Sequence, residues 1–495
     1  MMYGEEKSDS LIVAANLANN PQGAESVERR SGAKGNAEQP HMRRTQSRES
    51  MSQRLSRVRE AAKQRKKERF TALFHLLTAE ALENAFLSLS RKAAAGVDGV
   101  RWKDYAENLK VNIADLHRRL HQGSYRAQPG RRHYIPKADG KQRPLGIASL
   151  EDKIVQYALV KILNAVYEND FMGFSYGFRP GRSQHNALDA LATGLVRTNV
   201  NWVLDADISQ FFDKVSHEWL IRFIEHRIGD RRVIRLIRKW LTAGTSEEGE
   251  WRASEEGTPQ GAVISPLLAN IYLHYVFDLW AHQWRRRHAT GNVVMVRYAD
   301  DIVIGFDKRI DAQCFRIAMQ RRLKEFGLTV HPKKTRLMEF GRFAAENRAS
   351  RGKGKPETFN FLGFTHISGK DRSGRFMLIR KTRRDRMTAT LKAIKDGLRK
   401  RWHYSIPEQG KWLRRVVQGY LNYHSAPGNY PMMRKFRIYV TDLWRRALRR
   451  RSQQDDTTWT KANRLAAVWL PKVRVLHPWP VERFTARHPR QEPGA

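Results

Sequence analysis

Three aspartates at the ends of β-prone segments have a spacing that suits metal-dependent chemistry. Asp300 and Asp301 lie in a polar turn between the apolar runs 293–296 and 302–304, which predicts a β-hairpin with two carboxylates at its tip. Adjacent acids at a turn are usually only solvated, but strands of buried composition rarely end in paired charge without a use. Asp207 ends another β-prone run. Three carboxylates on rigid strands would form a hard-oxygen site suited to Mg²⁺.

A basic hairpin is the second element that could serve such a site. Residues 131–137 and 143–147 read as two short strands joined by an Asp-Gly turn. Lys137 and Arg143 would stand on opposite strands, where arginine can grip a triphosphate bidentately and lysine can act as a point charge. Taken alone, such residues are more often solvated. Next to a metal-binding pattern, a nucleotide-binding role is favoured.

Two Gly/Pro-broken loops add further candidates. The loop at 176–183 carries Arg179 and Arg182, which could contact the backbone of a nucleic acid or form an internal ion pair with Asp189. The loop at 257–261 leads into an apolar helix, and its glycines would let the backbone approach a bound base closely. Gln260 could form a hydrogen bond at that place.

Composition favours a polyanionic partner. The chain has 495 residues, enough for two or three domains, with 91 Lys and Arg against 50 Asp and Glu and a net charge of +41. A merely soluble basic protein is the weaker interpretation, because self-repulsion on this scale destabilises a chain without counter-charge. The single cysteine, Cys314, excludes a disulfide framework and zinc sites built on paired cysteines.

These motifs resemble, in order, those of bacterial group II intron-encoded reverse transcriptase/maturases. The resemblance covers about residues 66–470 and is carried by Tyr-Gly-Phe-Arg-Pro-Gly-Arg-Ser, Asp-x-x-x-Phe-Phe, Thr-Pro-Gln-Gly, Ser-Pro-Leu-Leu-Ala-Asn and Tyr-Ala-Asp-Asp. It implies an α+β right-hand polymerase fold, with fingers and a palm built on antiparallel sheet and a helical thumb/maturase domain.

The resemblance also assigns site residues. It implies two Mg²⁺ ions, with Mn²⁺ as an alternative, and a metal set of Asp207, Ile208, Asp300 and Asp301, whose three aspartates are catalytic. Phe212 would lie beneath the nucleotide sugar and exclude a 2′-hydroxyl, or it is a plain core residue. Lys334, in a Lys-Thr pair, would hold the triphosphate or protonate the leaving pyrophosphate.

The expected domain order follows the composition and the resemblance. We expect a disordered basic tail over 1–65, an N-terminal helical extension over 66–125, fingers and palm over 126–370, a thumb/maturase domain over 371–470 and an irregular tail over 471–495. The basic stripe Arg445, Arg446, Arg449 and Arg450 would bind nucleic acid or else be solvated. Because no His-Asn-His domain with paired cysteines follows, we expect an endonuclease-lacking form.

The function implied is RNA-directed DNA synthesis together with splicing assistance and mobility by target-primed reverse transcription. The partners would be group II intron RNA, an RNA template with a DNA primer, target DNA and dNTPs, and a homodimer stays open. Two rivals are an RNA chaperone without polymerase activity and a domesticated reverse transcriptase of a defence or diversity-generating system. The intact acids disfavour the first, and the C-terminal maturase pattern disfavours the second.

A membrane partner is not expected. The N-terminus lacks an apolar core followed by a small-residue cleavage site. The apolar run 262–277 contains Pro266, Asn270 and His274 and is too short to span a bilayer. We therefore expect a cytoplasmic bacterial protein that joins the nucleoid when it acts on DNA.

Overall fold

The computed structural model describes residues 41–136, 142–247, 249–451 and 457–487. Its first part is mostly helical. The elements are α1 (His41–Gln64), α2 (Ala79–Ser88), α3 (Trp102–Glu107), α4 (Leu109–His121), β1 (Gly130–Pro136), β2 (Gln142–Ile147), α5 (Leu150–Tyr167) and α6 (Gln184–Arg197). Ser149 is the N-cap of α5, because its side chain accepts a hydrogen bond from the Asp152 backbone N–H.

Helix α1 packs on α5. Its Ala62 is fully buried, and Leu55 and Val58 pack on the same core from the same helix face. The expectation of a disordered tail is therefore wrong for residues 41–64, because a few apolar residues at helical spacing dock this otherwise basic segment. Residues 1–40 lie outside the described residues.

A four-stranded antiparallel sheet organises the middle of the chain. The elements are β3 (Trp202–Asp207), α7 (His217–Glu225), α8 (Arg231–Thr242), β4 (Thr245–Glu247), β5 (Glu250–Arg252), α9 (Ser265–Leu273), α10 (Leu279–Arg287), β6 (Val293–Tyr298), β7 (Asp301–Phe306), α11 (Arg309–Glu325) and β8 (Arg336–Glu339). The strand order is β6-β7-β3-β8, so β7 pairs with both β6 and β3. Val203, Val294 and Ile304 are fully buried in the main core.

The predicted basic hairpin is confirmed. Strands β1 and β2 pair antiparallel, with Arg131 opposite Ile147 and Ile135 opposite Arg143. This hairpin belongs to a second sheet of order β2-β1-β4-β5. Lys137 and the predicted Asp-Gly turn lie outside the described residues.

The last part of the described chain is a short sheet followed by a helical bundle. The elements are α12 (Ala344–Ala349), β9 (Phe359–Phe361), β10 (Phe364–Lys370), β11 (Phe376–Thr382), α13 (Arg384–Arg399), α14 (Ile406–His424), α15 (Tyr430–Arg449), α16 (Trp459–Trp469) and α17 (Pro480–Arg487). The bundle has its own core, which includes Leu413, Phe436 and Trp444. The helical domain predicted from residue 371 is therefore wrong over 371–383, where β11 still pairs with β10.

The irregular tail predicted over 471–495 is wrong for residues 480–487, which form α17. Pro480 is compatible with a first helical turn, and α17 packs on α6. Arg483 donates two hydrogen bonds to the Asp189 carboxylate of α6, from Nε and from Nη2, the latter at 3.0 Å. Phe484 is buried in the main core. Such a short helix depends on tertiary contacts, which its sequence pattern does not display.

The predicted α+β class is confirmed, because helices and antiparallel sheets share the described chain. Among the helices of the described ranges, none combines the length and the apolar character needed to span a membrane.

We predict that His366 makes stability depend on pH. His366 is fully buried opposite Arg380, and burial, with help from Arg380, lowers its pKa to about 3. The unfolded chain takes up this proton near pH 6.5, so the stabilisation is present above that pH. It is lost as pH falls toward 3, by about 1.4 kcal/mol per pH unit.

His366→Gln should therefore flatten the decline in the free energy of unfolding between pH 7 and pH 5. Denaturant titrations at both pH values measure it. The exposed His403→Gln is the matched control and should keep the parental slope. The same slope in His366→Gln and the parent would contradict the prediction.

Candidate active site

The predicted Asp-Asp hairpin is confirmed and lies at the end of the central sheet. Tyr298 of β6 pairs with Asp301 of β7, which leaves Ala299 and Asp300 as the turn. Ala299 adopts a left-handed conformation, with φ of 56°. On its other side, Asp301 stands directly opposite Asp207 of β3. The structure therefore brings together the three aspartates singled out in the sequence.

Electrostatics at this sheet end are unfavourable without a counter-charge. Like charges directly opposite each other on antiparallel strands repel. The pKa of Asp301 is raised to about 7, first by desolvation and then by the negative charges of Asp300, Asp207 and Asp205. Desolvation first, and then Asp207, also raise the pKa of Asp300. The arrangement concentrates negative charge that a cation would relieve.

Lys334 supplies one such cation. Its Nζ lies 2.6 Å from Asp207 Oδ2. The His331 backbone N–H donates to the Asp207 carbonyl at 2.7 Å, which ties the segment before Lys334 to the end of β3. The side chain predicted to hold a triphosphate thus forms an ion pair with a candidate metal ligand.

The donor set suits a divalent metal by its chemistry. In the ranges that the structure describes, no three or more His, Cys, Asp or Glu side chains converge into a metal-binding group. The carboxylates of Asp207, Asp300 and Asp301, which the strand pairing brings to the same sheet end, nevertheless provide the hard oxygen donors that Mg²⁺ and Mn²⁺ prefer. The Ile208 side chain is buried and has no donor atom, so only its backbone carbonyl could contribute to such a set.

The basic hairpin lies near these acids, and the glycine loop contacts that hairpin. Arg143 is exposed, and its positive charge offsets part of the rise in the pKa of Asp300. The Gly146 backbone N–H of β2 donates to the Gln260 carbonyl at 2.6 Å. The Gln260 side chain donates to Asp213 Oδ1 at 2.6 Å, so its predicted contact with a base stays a prediction.

Phe212 lies half-buried beside an aromatic that the sequence interpretation overlooked. Phe178 meets Phe212 edge to face, with ring centroids 6.3 Å apart, and lies 6.5 Å from the Tyr298 ring. Its backbone is left-handed, with φ of 59°, which is uncommon for a bulky residue and is typical of functional sites. The preceding Gly177 packs so closely on Ala299 that a Cβ would clash. Residue type alone does not reveal such a conformation.

A buried ion pair fixes the hairpin turn. Arg297 and Asp278 are both unexposed, and their closest charged atoms lie 2.5 Å apart. Arg297 also donates to the Ala299 carbonyl at 3.0 Å and to Ser175 Oγ at 2.7 Å. A buried charge is tolerated only when it is paired and hydrogen-bonded, so these bonds hold the turn and the 175–178 segment together.

Arg179 is not placed to contact a nucleic acid. Its side chain is 2% exposed, forms an ion pair with Glu168 at 3.0 Å and donates to the carbonyls of Met172 and Ser175. The predicted template contact is therefore wrong. The alternative partner Asp189 is wrong as well, because that carboxylate accepts from Arg483.

Arg182 also binds within its own loop. It donates to the Gly173 and Ser175 carbonyls at 2.5 and 3.3 Å. Burial lowers its pKa to about 10, which reflects a partly desolvated guanidinium. Unlike Arg179, Arg182 is partly exposed and uses a single guanidinium nitrogen in these bonds, so its predicted contact with a template backbone stays a prediction.

The predicted basic stripe at the end of α15 contains two arginines that form ion pairs and two that are exposed. Arg445 forms an ion pair with Asp442 at 2.9 Å and lies over the Trp459 ring. Arg446 is exposed but pairs with the same carboxylate at 2.7 Å. Arg449 and Arg450 are exposed and form no ion pair with any described residue. The binding role of this stripe stays a prediction.

Comparisons with known proteins identify the domain. Residues 135–366 match the family model described as reverse transcriptase (RNA-dependent DNA polymerase). The chain is 43% identical to Protein YkfC of Escherichia coli (strain K12), over 41% of this chain and 54% of the relative. It is 37% identical to the group II intron-encoded protein LtrA of Lactococcus lactis subsp. cremoris, over 44% and 37%. The chain thus spans about half or less of the length of these relatives. The matched domain and the named relatives confirm the family resemblance seen in the motifs.

We predict that Lys334 competes with a divalent metal for Asp207. Lys334→Met should lower the melting temperature in a chelator, because the carboxylates then repel one another with one counter-charge fewer. Added Mg²⁺ or Mn²⁺ should raise it by more than in the parent. Differential scanning fluorimetry measures both shifts.

The neighbouring, exposed Lys333→Met is the matched control. It should respond to the metal as the parent does. Equal metal-induced shifts in Lys334→Met and the parent would show that Lys334 and the metal do not share Asp207.

Proposed function

Because residues 135–366 form a reverse transcriptase domain, which has the right-hand polymerase fold, we propose that this protein is an RNA-directed DNA polymerase that also binds group II intron RNA. One observation carries the proposal. Asp207 and Asp301 stand directly opposite each other on adjacent strands, with Asp300 in the adjoining turn. We expect the domains to follow the sequence division into fingers, palm and thumb, with the bundle of α13–α16 as the thumb/maturase domain.

Each candidate side chain has a role in nucleotide addition. Asp207, Asp300 and Asp301 would hold two Mg²⁺ ions, with Mn²⁺ as a substitute, and the Ile208 backbone would adjoin them. When bound, these ions activate a 3′-hydroxyl and stabilise the leaving pyrophosphate. Arg143 would grip the triphosphate of a dNTP, together with Lys137 from outside the described residues.

Three further residues would select and receive the nucleotide. The Phe212 ring, flanked by Phe178, would exclude a 2′-hydroxyl and so favour dNTPs. Lys334 would leave Asp207 and hold the triphosphate or give its proton to pyrophosphate. Gln260 would support the templating base from the loop that contacts β2.

Intron RNA is the partner that the relatives' names and the charge support. LtrA is named a group II intron-encoded protein, and a similar protein of Arabidopsis thaliana is named nuclear intron maturase 2. A net charge of +41 suits a polyanion. We therefore propose that the protein assists splicing and, with target DNA as the second partner, mobility by target-primed reverse transcription.

We predict that Asp300→Ala abolishes primer extension on an RNA template with Mg²⁺. Intron RNA affinity should stay nearly unchanged, because it arises from many dispersed cations. Gel-based primer extension and filter binding measure the two effects. Asp385→Ala, at an exposed aspartate, is the control and should extend primers as the parent does. Substantial cDNA synthesis by Asp300→Ala would overturn the two-metal assignment.

We predict that Phe212→Ala admits ribonucleotides, because the lost ring opens space at the 2′ position. Single-nucleotide incorporation with rNTP and dNTP gives the discrimination ratio. Phe212→Tyr keeps the ring and should restore the preference for dNTPs. An unchanged ratio in Phe212→Ala would return Phe212 to an ordinary packing role.

A further inference from the structure

A small groove between α13 and α15 combines an aromatic wall with clustered cations. We call it the α13–α15 groove. Its cavity volume is about 100 Å³, and its lining includes Trp402, Leu398 and Leu443. Leu398 is buried in the bundle core, whereas the Trp402 residue is 37% exposed. The groove therefore offers a small apolar slot with an accessible indole.

The charged side chains that line this slot are all positive. Lys395, Arg399, Arg446 and Arg450 line it, and no acidic side chain does. Arg446 pairs with Asp442 at 2.7 Å, whereas the other three cations form no ion pair with any described residue. Cations this close repel one another, so an anionic ligand would stabilise the arrangement.

We propose that the α13–α15 groove captures one unpaired nucleotide of a bound RNA. The base stacks on Trp402, and the adjoining phosphates contact Lys395, Arg399 and Arg450. Aromatic side chains stack on any base, and basic side chains track the backbone, which is the general chemistry of single-stranded nucleic acid binding. The proposal rests on the proposed RNA-binding function and names the form of RNA that this surface recognises.

The size of the slot favours this ligand over others. A base in a continuous duplex is stacked on both faces and cannot leave the stack to enter the slot beside Trp402, whereas a bulged or looped base can be splayed out. A lipid chain or an amphipathic helix would need a longer apolar surface than this cavity provides. A phosphate alone would leave Trp402 and the leucines without a role.

The test compares two RNA hairpins that differ by a single-nucleotide bulge. Fluorescence anisotropy with the full-length protein gives the dissociation constant for the bulged and the fully paired hairpin. The parent should prefer the bulged hairpin. Trp402→Ala should weaken its binding by about tenfold, the scale of one base–aromatic stack, with little effect on the paired hairpin.

Four further variants sharpen the result. Trp402→Phe keeps a stacking ring and should restore most of the bulge preference. Trp479→Ala removes another exposed indole and should behave as the parent does. Arg399→Ala combined with Arg450→Ala should lower the salt slope of binding by about two units, whereas Lys392→Ala, an exposed cation of α13 outside the groove lining, should leave it unchanged.

Several results would overturn the proposal. One is an unchanged bulge preference in Trp402→Ala. Another is an equal loss for bulged and paired hairpins, which would make the groove a general phosphate surface. A third is that Trp402→Ala abolishes binding to phosphatidylserine vesicles and leaves RNA binding intact. If circular dichroism shows that Trp402→Ala does not fold, the proposal is judged on the other two groove variants. A loss of the bulge preference in Trp402→Phe, or an unchanged salt slope in the double arginine variant, would then overturn it.

Failure of the proposed function is visible separately. Primer extension by the parent on a short unstructured template tests the polymerase proposal, and it does not involve the bulged hairpin. An inactive parent that still prefers the bulged hairpin would overturn the polymerase assignment alone. An active parent without the preference would overturn the groove alone.

Discussion

Arg297 places a charge inside an apolar strand, and the candidate active site depends on how that charge is satisfied. Asp278 neutralises it in a place where neither side chain is exposed, and further hydrogen bonds from Arg297 reach Ser175, Asn270 and Ala299. Removing one partner of a buried pair leaves an uncompensated charge, at a cost of about 3–5 kcal/mol. One guanidinium thereby holds both the turn that carries Asp300 and the segment that presents Phe178.

The strand register determines the electrostatics that follow from this support. Asp207 faces Asp301 because β3 and β7 pair without a bulge at that end, and a slip by one residue would turn the side chains to opposite faces. The buried apolar residues of both strands oppose such a slip. The fold therefore maintains a carboxylate cluster that repels itself, and its counter-cations come from two separate elements, Arg143 on β2 and Lys334 after α11.

The sequence was informative where local pattern decides the structure. Apolar runs interrupted by a polar turn predicted both the Asp-Asp hairpin and the basic hairpin, and the motif order predicted the family. Contacts between residues far apart in the chain were harder to predict from the sequence. Arg179 could be matched with Asp189 by sequence, but it pairs with Glu168, because ion-pair partners are chosen by tertiary packing. Helices α1 and α17 were missed for a related reason, since their own sequences are polar and their stability comes from α5 and α6.

The docking of α17 on α6 has a mechanical consequence. The helical bundle is joined to the rest of the molecule at one end through the continuous chain from β11 into α13. At the other end it is joined through the segment between α16 and α17. Arg483 of α17 donates a hydrogen bond to the Asp189 carboxylate of α6. Between these two connections α14 contacts the short sheet directly, because Tyr423 donates to the Leu362 carbonyl at 2.8 Å and its ring packs on Phe364. The bundle is therefore braced against the sheet as well as tethered to it, and should keep a fixed orientation rather than swing on its connections.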